Sequence, residues 1–376
     1  MLRIYTDPSL GRPEWPLVPM IHGMVRDVTS QHSGTTWERR FVPWWDVAST
    51  HTSFGPLAEA DIAILPFDWY RVRGESWNSR TDRAMRDAAR QFADEVRAAD
   101  KPLAVFWTAD RSNEPLRLPT SVVVREGPYR SRFNSDDVVM PGFHEDLVAE
   151  LLGGEAPIRE KGPDPVVGFC GLAGQRNSWK HRAKLVAYHA RNFATQRWID
   201  VSPYKGETLR ATALDLLARA PGVQTNFVVR DRGVFFVDAP ATSLVDVRRD
   251  YLQNALASDY LLVCRGSGNC FTRLYEAMCL GRIPVFIDTD CVLPWEDRID
   301  WRASCIYMDE SELPHIGAKV RDFHDSISPE DFRAMQFRNR QLWLEHLSPR
   351  GFFTTLARQW AHKHRAEVGD AMLGTQ

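Results

Sequence analysis

Residues 260–287 leave few architectures open. Tyr260-Leu261-Leu262-Val263-Cys264 is an unbroken apolar run, the pattern of a strand buried on both faces. It passes through Arg265-Gly266-Ser267-Gly268-Asn269 into the helical pattern CFTRLYEAMCLG, which stops at Gly281. Ile283-Pro284-Val285-Phe286-Ile287 then returns as a second strand. A strand, a helix and a strand within about 30 residues form a βαβ unit, whose right-handed crossover sets the glycine loop at the carboxyl edge of a parallel sheet. Ligands bind at that edge.

The rest of the chain repeats this alternation, so the spacing predicts an α/β fold with parallel sheets. Residues 2–5 read as a strand, and 61–67 as a buried one ending in Asp68-Trp69-Tyr70. Between 80 and 99, Met85, Ala88, Ala89, Phe92 and Val96 recur at three- and four-residue steps, giving an amphipathic helix. Strands follow at 103–107 and 121–124, and a helix at 145–152 stops at Gly153-Gly154. The segment EAPIREKGPDP breaks the periodicity, and in a chain of 376 residues it marks a boundary between two domains. Beyond it come a strand at 166–170, a basic loop with Gly171, Gly174, Arg176 and Lys180, and a helix from about His181. A basic loop entering a helix suits an anion. Residues 226–230 and 234–237 read as short strands, and 247–257 as a helix with Val247, Tyr251 and Ala255 on one face.

The charge balance, 47 Lys and Arg against 49 Asp and Glu, excludes a global field that would draw the chain onto nucleic acid. No apolar run reaches about 18 residues, the length a membrane-spanning helix needs. The start MLRIYTDP meets Asp7 and Pro8 before any signal-length apolar core, so a soluble, cytoplasmic protein is expected. Six cysteines form neither a C-x-x-C pair nor a zinc-ligand spacing, and read as buried free thiols. No metal and no cofactor is expected. Trp44, Trp45, Trp69 and Trp107 fall near strand ends or in loops, as core residues or as rings that stack on a ligand.

In the loop, Gly266 and Gly268 let backbone N–H groups approach a diphosphate, and Arg265 and Arg273 supply positive charge. Three residues after Arg273, the Glu276 carboxylate can accept from the paired hydroxyls of a ribose, or can pair with Arg273 along the helix. A dinucleotide-binding fold is a rival reading, because Asp288 stands 20 residues past Gly268. Phe271 occupies the position of its third glycine, which counts against it. Asp288-Thr289-Asp290 also spells a D-x-D, the pattern that metal-dependent transferases use.

YLQNALASDYLLVCRGSGNCFTRLYEAMCLGRIPVFIDTDCVLPWEDRIDW resembles the signature block of the exostosin family of glycosyltransferases. Tyr251, Ser258, Thr272, Arg273, Glu276, Ala277, Gly281, Ile283, Pro284 and Val285 fit the family pattern, and Leu293-Pro294-Trp295 and Ile299-Asp300-Trp301 match its continuation. Ala60-Asp61 through Pro66-Phe67 and the pair Arg182 and Leu185 are fainter echoes. The resemblance implies a GT-B architecture, two Rossmann-like domains facing across a cleft. It assigns residues 1–152 to an acceptor-side domain, 153–165 to a linker, 166–345 to a nucleotide-sugar-binding domain and 346–376 to a helix packing back across both. The D-x-D falls in a loop of that family. The chain carries no counterpart of the anchor and stem usual in eukaryotic members, so a soluble, bacterial-like member is expected.

By the same resemblance the chain is an inverting, metal-independent transferase that moves a sugar from a nucleoside diphosphate sugar, UDP first, to a hydroxyl of a glycan or glycosylated acceptor. Arg182 and Arg265 would balance the diphosphate and Glu276 would bind the ribose, with Gly171, Gly266, Ser267, Gly268, Asn269, Thr272 and Arg273 around them. Inversion requires a general base in hydrogen-bond reach of the acceptor. By position at strand ends, Asp68 and Asp110 come first, then Glu126 and His144-Glu145-Asp146. Each can equally be a helix cap or a surface group. A non-catalytic nucleotide- or glycan-binding protein on the same fold, and an NAD-dependent Rossmann enzyme, are the alternatives.

Overall fold

The computed structural model describes residues 1–28, 35–74, 81–109, 116, 118–119, 121–173, 183, 186–188, 190, 205–230 and 241–373. In chain order its longer elements are β1 (Leu2–Tyr5), α1 (Thr36–Ala48), β2 (Thr52–Phe54), β3 (Ile62–Ile64), α2 (Arg83–Ala98), β4 (Leu103–Trp107), β5 (Ser121–Glu126), β6 (Val138–Met140), β7 (Val166–Leu172), α3 (Lys205–Ala218), β8 (Gln224–Arg230), α4 (Ala241–Leu256), β9 (Tyr260–Val263), α5 (Thr272–Cys279), β10 (Ile283–Asp288), β11 (Ile306–Asp309), α6 (Ile316–Ser326), α7 (Pro329–Leu342) and α8 (Pro349–Leu373). Contacts divide the chain into two compact units. The first is Met1–Asp146 with Val292–Trp295 and Leu344–Gln376, and the second is Leu147–Cys291 with Glu296–Trp343.

The first unit is built on a six-stranded sheet in the order β2-β1-β3-β4-β5-β6, with every pairing parallel. The helix expected at 80–99 is α2. Asp82 caps it by accepting from the Met85 N–H at 3.1 Å, and Met85, Ala89, Phe92, Ala93 and Val96 turn inward. Under the other face, α8 lays Phe353 against Phe41, Trp44, Phe106 and Phe143, with ring centroids 5.4–6.5 Å apart. Helix α1 opens on a capping box between Thr35 and Glu38. Sequence periodicity missed α1, because Pro43 and paired tryptophans blur its amphipathic stripe.

The second unit has a five-stranded sheet, β11-β10-β9-β7-β8, again wholly parallel. Each unit is therefore Rossmann-like, and two such α/β units are consistent with a GT-B fold. Pro284 lacks an N–H, yet β10 lies inside the sheet. The conflict is resolved by register: pairing with β11 begins at Val285, one residue later. Gly168 is required on β7, since a Cβ there would stand 2.3 Å from the Ser258 Oγ. Helix α4 begins at residue 241, earlier than expected, and keeps Val247, Tyr251 and Ala255 buried.

The segment read as a linker is fastened to the second unit. Buried Arg282 donates to Pro157 O at 3.0 Å, Ala255 O at 3.1 Å and Gln336 Oε1 at 3.0 Å, and Gln336 also bonds both backbone groups of Arg159. Burial pulls the Arg282 guanidinium down to about 10. Nearby, buried His324 accepts from the Tyr260 hydroxyl and donates to Gly162 O, which fixes its neutral tautomer. The strand expected at 234–237 and most of the helix expected from His181 lie outside the described residues. Among the described residues, no helix is long and apolar enough to cross a membrane.

Candidate functional site

Strand order in the second unit reverses at β7. The chain runs from β7 outward to β8, then returns to place β9 on the other side of β7. Such a reversal opens a crevice at the carboxyl ends of the two strands, because the connections leave in opposite directions. The glycine loop leaves β9 at this point. Continuing the β7–β9 register from Gly168 and Leu261 sets Gly171 level with Cys264.

Arg265 is buried, with 1% of its surface exposed, and its Nη2 donates to Ser267 O at 3.2 Å across the loop. Asn269 is equally buried. Its Oδ1 accepts from the Thr289 hydroxyl at 2.6 Å and its Nδ2 donates to Asp290 O at 3.3 Å, tying the loop to the turn after β10. Gly266 has open space where a Cβ would point, and Ser267 is exposed. Residues 265–269 and Thr272, Arg273 and Glu276 thus form one continuous loop and helix, with Gly171 on the neighbouring strand. Arg182 and Asp110 lie outside the described residues, as do Gly174, Arg176 and Lys180.

Helix α5 makes the Arg273–Glu276 pair, Nη1 to Oε2 at 2.7 Å, with both side chains largely covered. The Arg273 guanidinium also lies 4.0 Å from the centroid of the Tyr251 ring. The nearby Glu276 carboxylate holds the Arg273 guanidinium above its ordinary value against the pull of burial, and burial raises the Tyr251 hydroxyl well above its own. One oxygen of Glu276 is thereby fixed and the carboxylate is oriented from below. Phe271, at the third-glycine position of a dinucleotide fingerprint, packs edge-on against Phe286 of β10 at 4.9 Å. A ring fills the space that the fingerprint leaves for close helix–strand approach.

Asp288 is engaged on both oxygens, accepting from the Cys291 N–H at 2.9 Å and from the Tyr307 hydroxyl at 2.6 Å. It acts as a strand-end fastener in this structure. Among the described residues no group of three or more His, Cys, Asp and Glu side chains could hold a metal ion.

In the first unit Asp68 follows β3 and is buried. It accepts from the Tyr70 N–H at 2.9 Å, from the Thr108 N–H at 3.1 Å and from the Thr108 hydroxyl at 2.7 Å. Burial pushes its carboxyl up to about 6, although these donors pull the other way. Asp68 therefore joins the ends of β3 and β4 with both oxygens occupied. His144 Nδ1 donates to Glu145 O at 2.6 Å, and Glu145 faces Arg40 at 4.0 Å. Trp44, Trp45 and Trp107 are core, with the first two donating to Met20 O and Pro19 O, whereas Trp69 is half-buried. The six cysteines are free thiols, five buried and Cys270 half-buried.

Sequence reading missed Arg210. It sits one turn into α3, and its Nη1 donates to Leu172 O at the end of β7 at 2.6 Å. Helical periodicity alone places it on a polar face; only the fold brings it to the strand reversal.

Among curated proteins, exostosin-1 of Drosophila melanogaster is 35% identical over 96 residues, which cover 26% of this chain and 12% of that protein. The protein named probable beta-1,4-xylosyltransferase IRX10L of Arabidopsis thaliana is 40% identical over 58 residues, 15% of this chain and 13% of its own length. The chain thus spans about an eighth of the curated relatives it matches. No family model matches it.

Proposed function

We propose that this protein is a glycosyltransferase that moves a sugar from a nucleoside diphosphate sugar, UDP first, to a hydroxyl of a glycan or glycosylated acceptor. The observation that carries the reading is the glycine loop with buried Arg265 at the strand reversal of the second unit. The partial similarity to exostosin-1 and to a named xylosyltransferase supports it. The second unit takes the donor and the first takes the acceptor. Free thiols throughout suit a cytoplasmic setting.

In this reading the acceptor hydroxyl oxygen attacks the anomeric carbon while the bond from that carbon to the β-phosphate oxygen breaks. The bonding pair stays on the departing diphosphate, and the hydroxyl proton passes to a base. One displacement inverts the anomeric centre. Arg265, Arg182 and the loop N–H groups offset the negative charge that builds on the leaving group, so the charge is met without a metal. One oxygen of Glu276 accepts from the ribose hydroxyls while Arg273 holds the other. Asp68 and Asp110 are the candidate bases on the acceptor side.

A second reading, a nucleotide- or glycan-binding protein without catalysis, is favoured by the full occupancy of the Asp68 oxygens. Three donors already compete for the lone pairs that an acceptor's proton would need. Thermal melting against UDP, GDP, CDP, dTDP, ADP and NAD tests the donor site, because a ligand that binds only the folded state raises Tm. A selective rise with one diphosphate supports the transferase; a rise with NAD alone overturns it. Release of that diphosphate from its sugar conjugates, with acceptor supplied, then separates enzyme from binder.

A further inference from the structure

The strand reversal of the second unit carries a cation that the glycine loop does not account for. Arg210 is half-buried on α3, and its guanidinium is held from two sides. Nε donates to Gly206 O at 3.1 Å and Nη1 donates to Leu172 O at 2.6 Å. Both acceptors are neutral carbonyls. Among the described residues no carboxylate lies within ion-pair distance of it, and its Nη2 donates to none of them. Burial disfavours its charge more than nearby Cys264 and Glu207 favour it, and Arg273 adds repulsion. A largely desolvated guanidinium with no direct ion-pair partner is costly unless an anion arrives to meet it.

Three elements aim this group. Leu172 is the last residue of β7, the strand beside β9. Gly206, one turn before Arg210, lies so close to the loop after β9 that a Cβ there would stand 2.2 Å from Gly266 O and 2.5 Å from Arg265 O. The first turn of α3 is thus pressed against the glycine loop. Its backbone dipole adds partial positive charge on the same side. Two neutral carbonyls fix the planar fork, leaving its other three N–H groups, one on Nη1 and two on Nη2, preorganised for phosphate oxygens.

We propose that Arg210 is a ligand of the donor's diphosphate, gripping it from the β7 side while Arg265 and the glycine loop grip it from the β9 side. The inference rests on the donor-site reading given above. It adds a residue outside the signature block and predicts a particular split: Arg210 recognises the phosphates and ignores the base and ribose.

The test is binding of each nucleoside diphosphate, monophosphate and nucleoside of the U, G, C, T and A series to wild type, R210Q and R210K, with ligand-free melting recorded for each. R210Q should lose about 10- to 100-fold in affinity for the diphosphate that wild type selects, the scale of a charge-assisted hydrogen bond, with the matching nucleoside unchanged within about twofold. R210K keeps the charge without the fork and should fall in between. If R210Q does not fold, the loss in R210K, confined to the phosphorylated ligands, carries the test. Equal losses for diphosphate and nucleoside would make Arg210 a fastener of β7 to α3 and overturn the proposal, as would unchanged diphosphate affinity. Wild type that binds no diphosphate would instead remove the donor-site reading itself, and this inference with it.

Discussion

Glu276 owes its place to two neighbours. Arg273 ties one of its oxygens at 2.7 Å, and Tyr251 supports Arg273 from beneath at 4.0 Å. Glu276→Ala should weaken nucleotide binding by about 1–3 kcal/mol, the cost of lost hydrogen bonds to ribose, and leave the protein folded. Titration calorimetry beside a melting curve checks both parts; unchanged affinity would remove Glu276 from the site. Asp68 makes a prediction about pH. Its carboxyl titrates near pH 6 in the folded chain against 3.8 when unfolded, so the folded state holds the proton over that window. Stability due to Asp68 is therefore fully present below about pH 4 and lost as pH rises through about 6, at most about 3 kcal/mol for so deeply buried a group. Asp68→Asn does not titrate. The stability of wild type relative to this variant should fall between about pH 4 and 6.5 and level off above, read from urea unfolding at each pH. Parallel curves would mean that Asp68 keeps its charge throughout.

Glycine at residue 206 governs how two elements meet. A methyl group there would collide with backbone atoms of Arg265 and Gly266, which cannot swing aside as a side-chain tip can. Gly206→Ala should cost about 1–3 kcal/mol of overpacking and lower diphosphate affinity together, measured by unfolding and by binding. At this scale the sequence was most informative wherever burial was two-sided. β9, α5 and β10 stood out because a parallel strand covered on both faces reads as an unbroken apolar run. Some short pieces were missed. β2, β6 and β11 have three or four residues each, as few as β3, but lack an apolar run as long as that of 61–67 around them, and α1 hides its stripe behind Pro43. The site divides in the same way. Residues 265–276 lie in one stretch and announce themselves together, whereas Arg210 reaches the reversal only through tertiary packing. The Arg273–Glu276 contact was visible as a spacing, but the role of Tyr251 beneath it was not.

The path of the chain matters as much as its two sheets. The first unit is closed by its last long helix: α8 contributes Phe352, Phe353 and Leu356, all fully buried, and Trp295 packs at a tilt against Phe352 at 5.1 Å. Each such side chain contributes about 1.5–3 kcal/mol by burial. A chain ending at Ser348 should therefore forfeit most of the margin, about 5–15 kcal/mol, that holds a domain together. Hydrogen exchange should then show protection lost in β1–β6 and kept in β7–β11; protection kept in both would contradict this packing. The same path dictates an order of events during synthesis. The usual expectation is that an N-terminal domain folds first as it leaves the ribosome. Here the earlier-made sheet waits for residues made after the second unit, which already has all its strands and its α7 by residue 343. For that interval the growing chain presents an unfinished aromatic face, and its exposure depends on how quickly translation reaches Phe352 and Phe353.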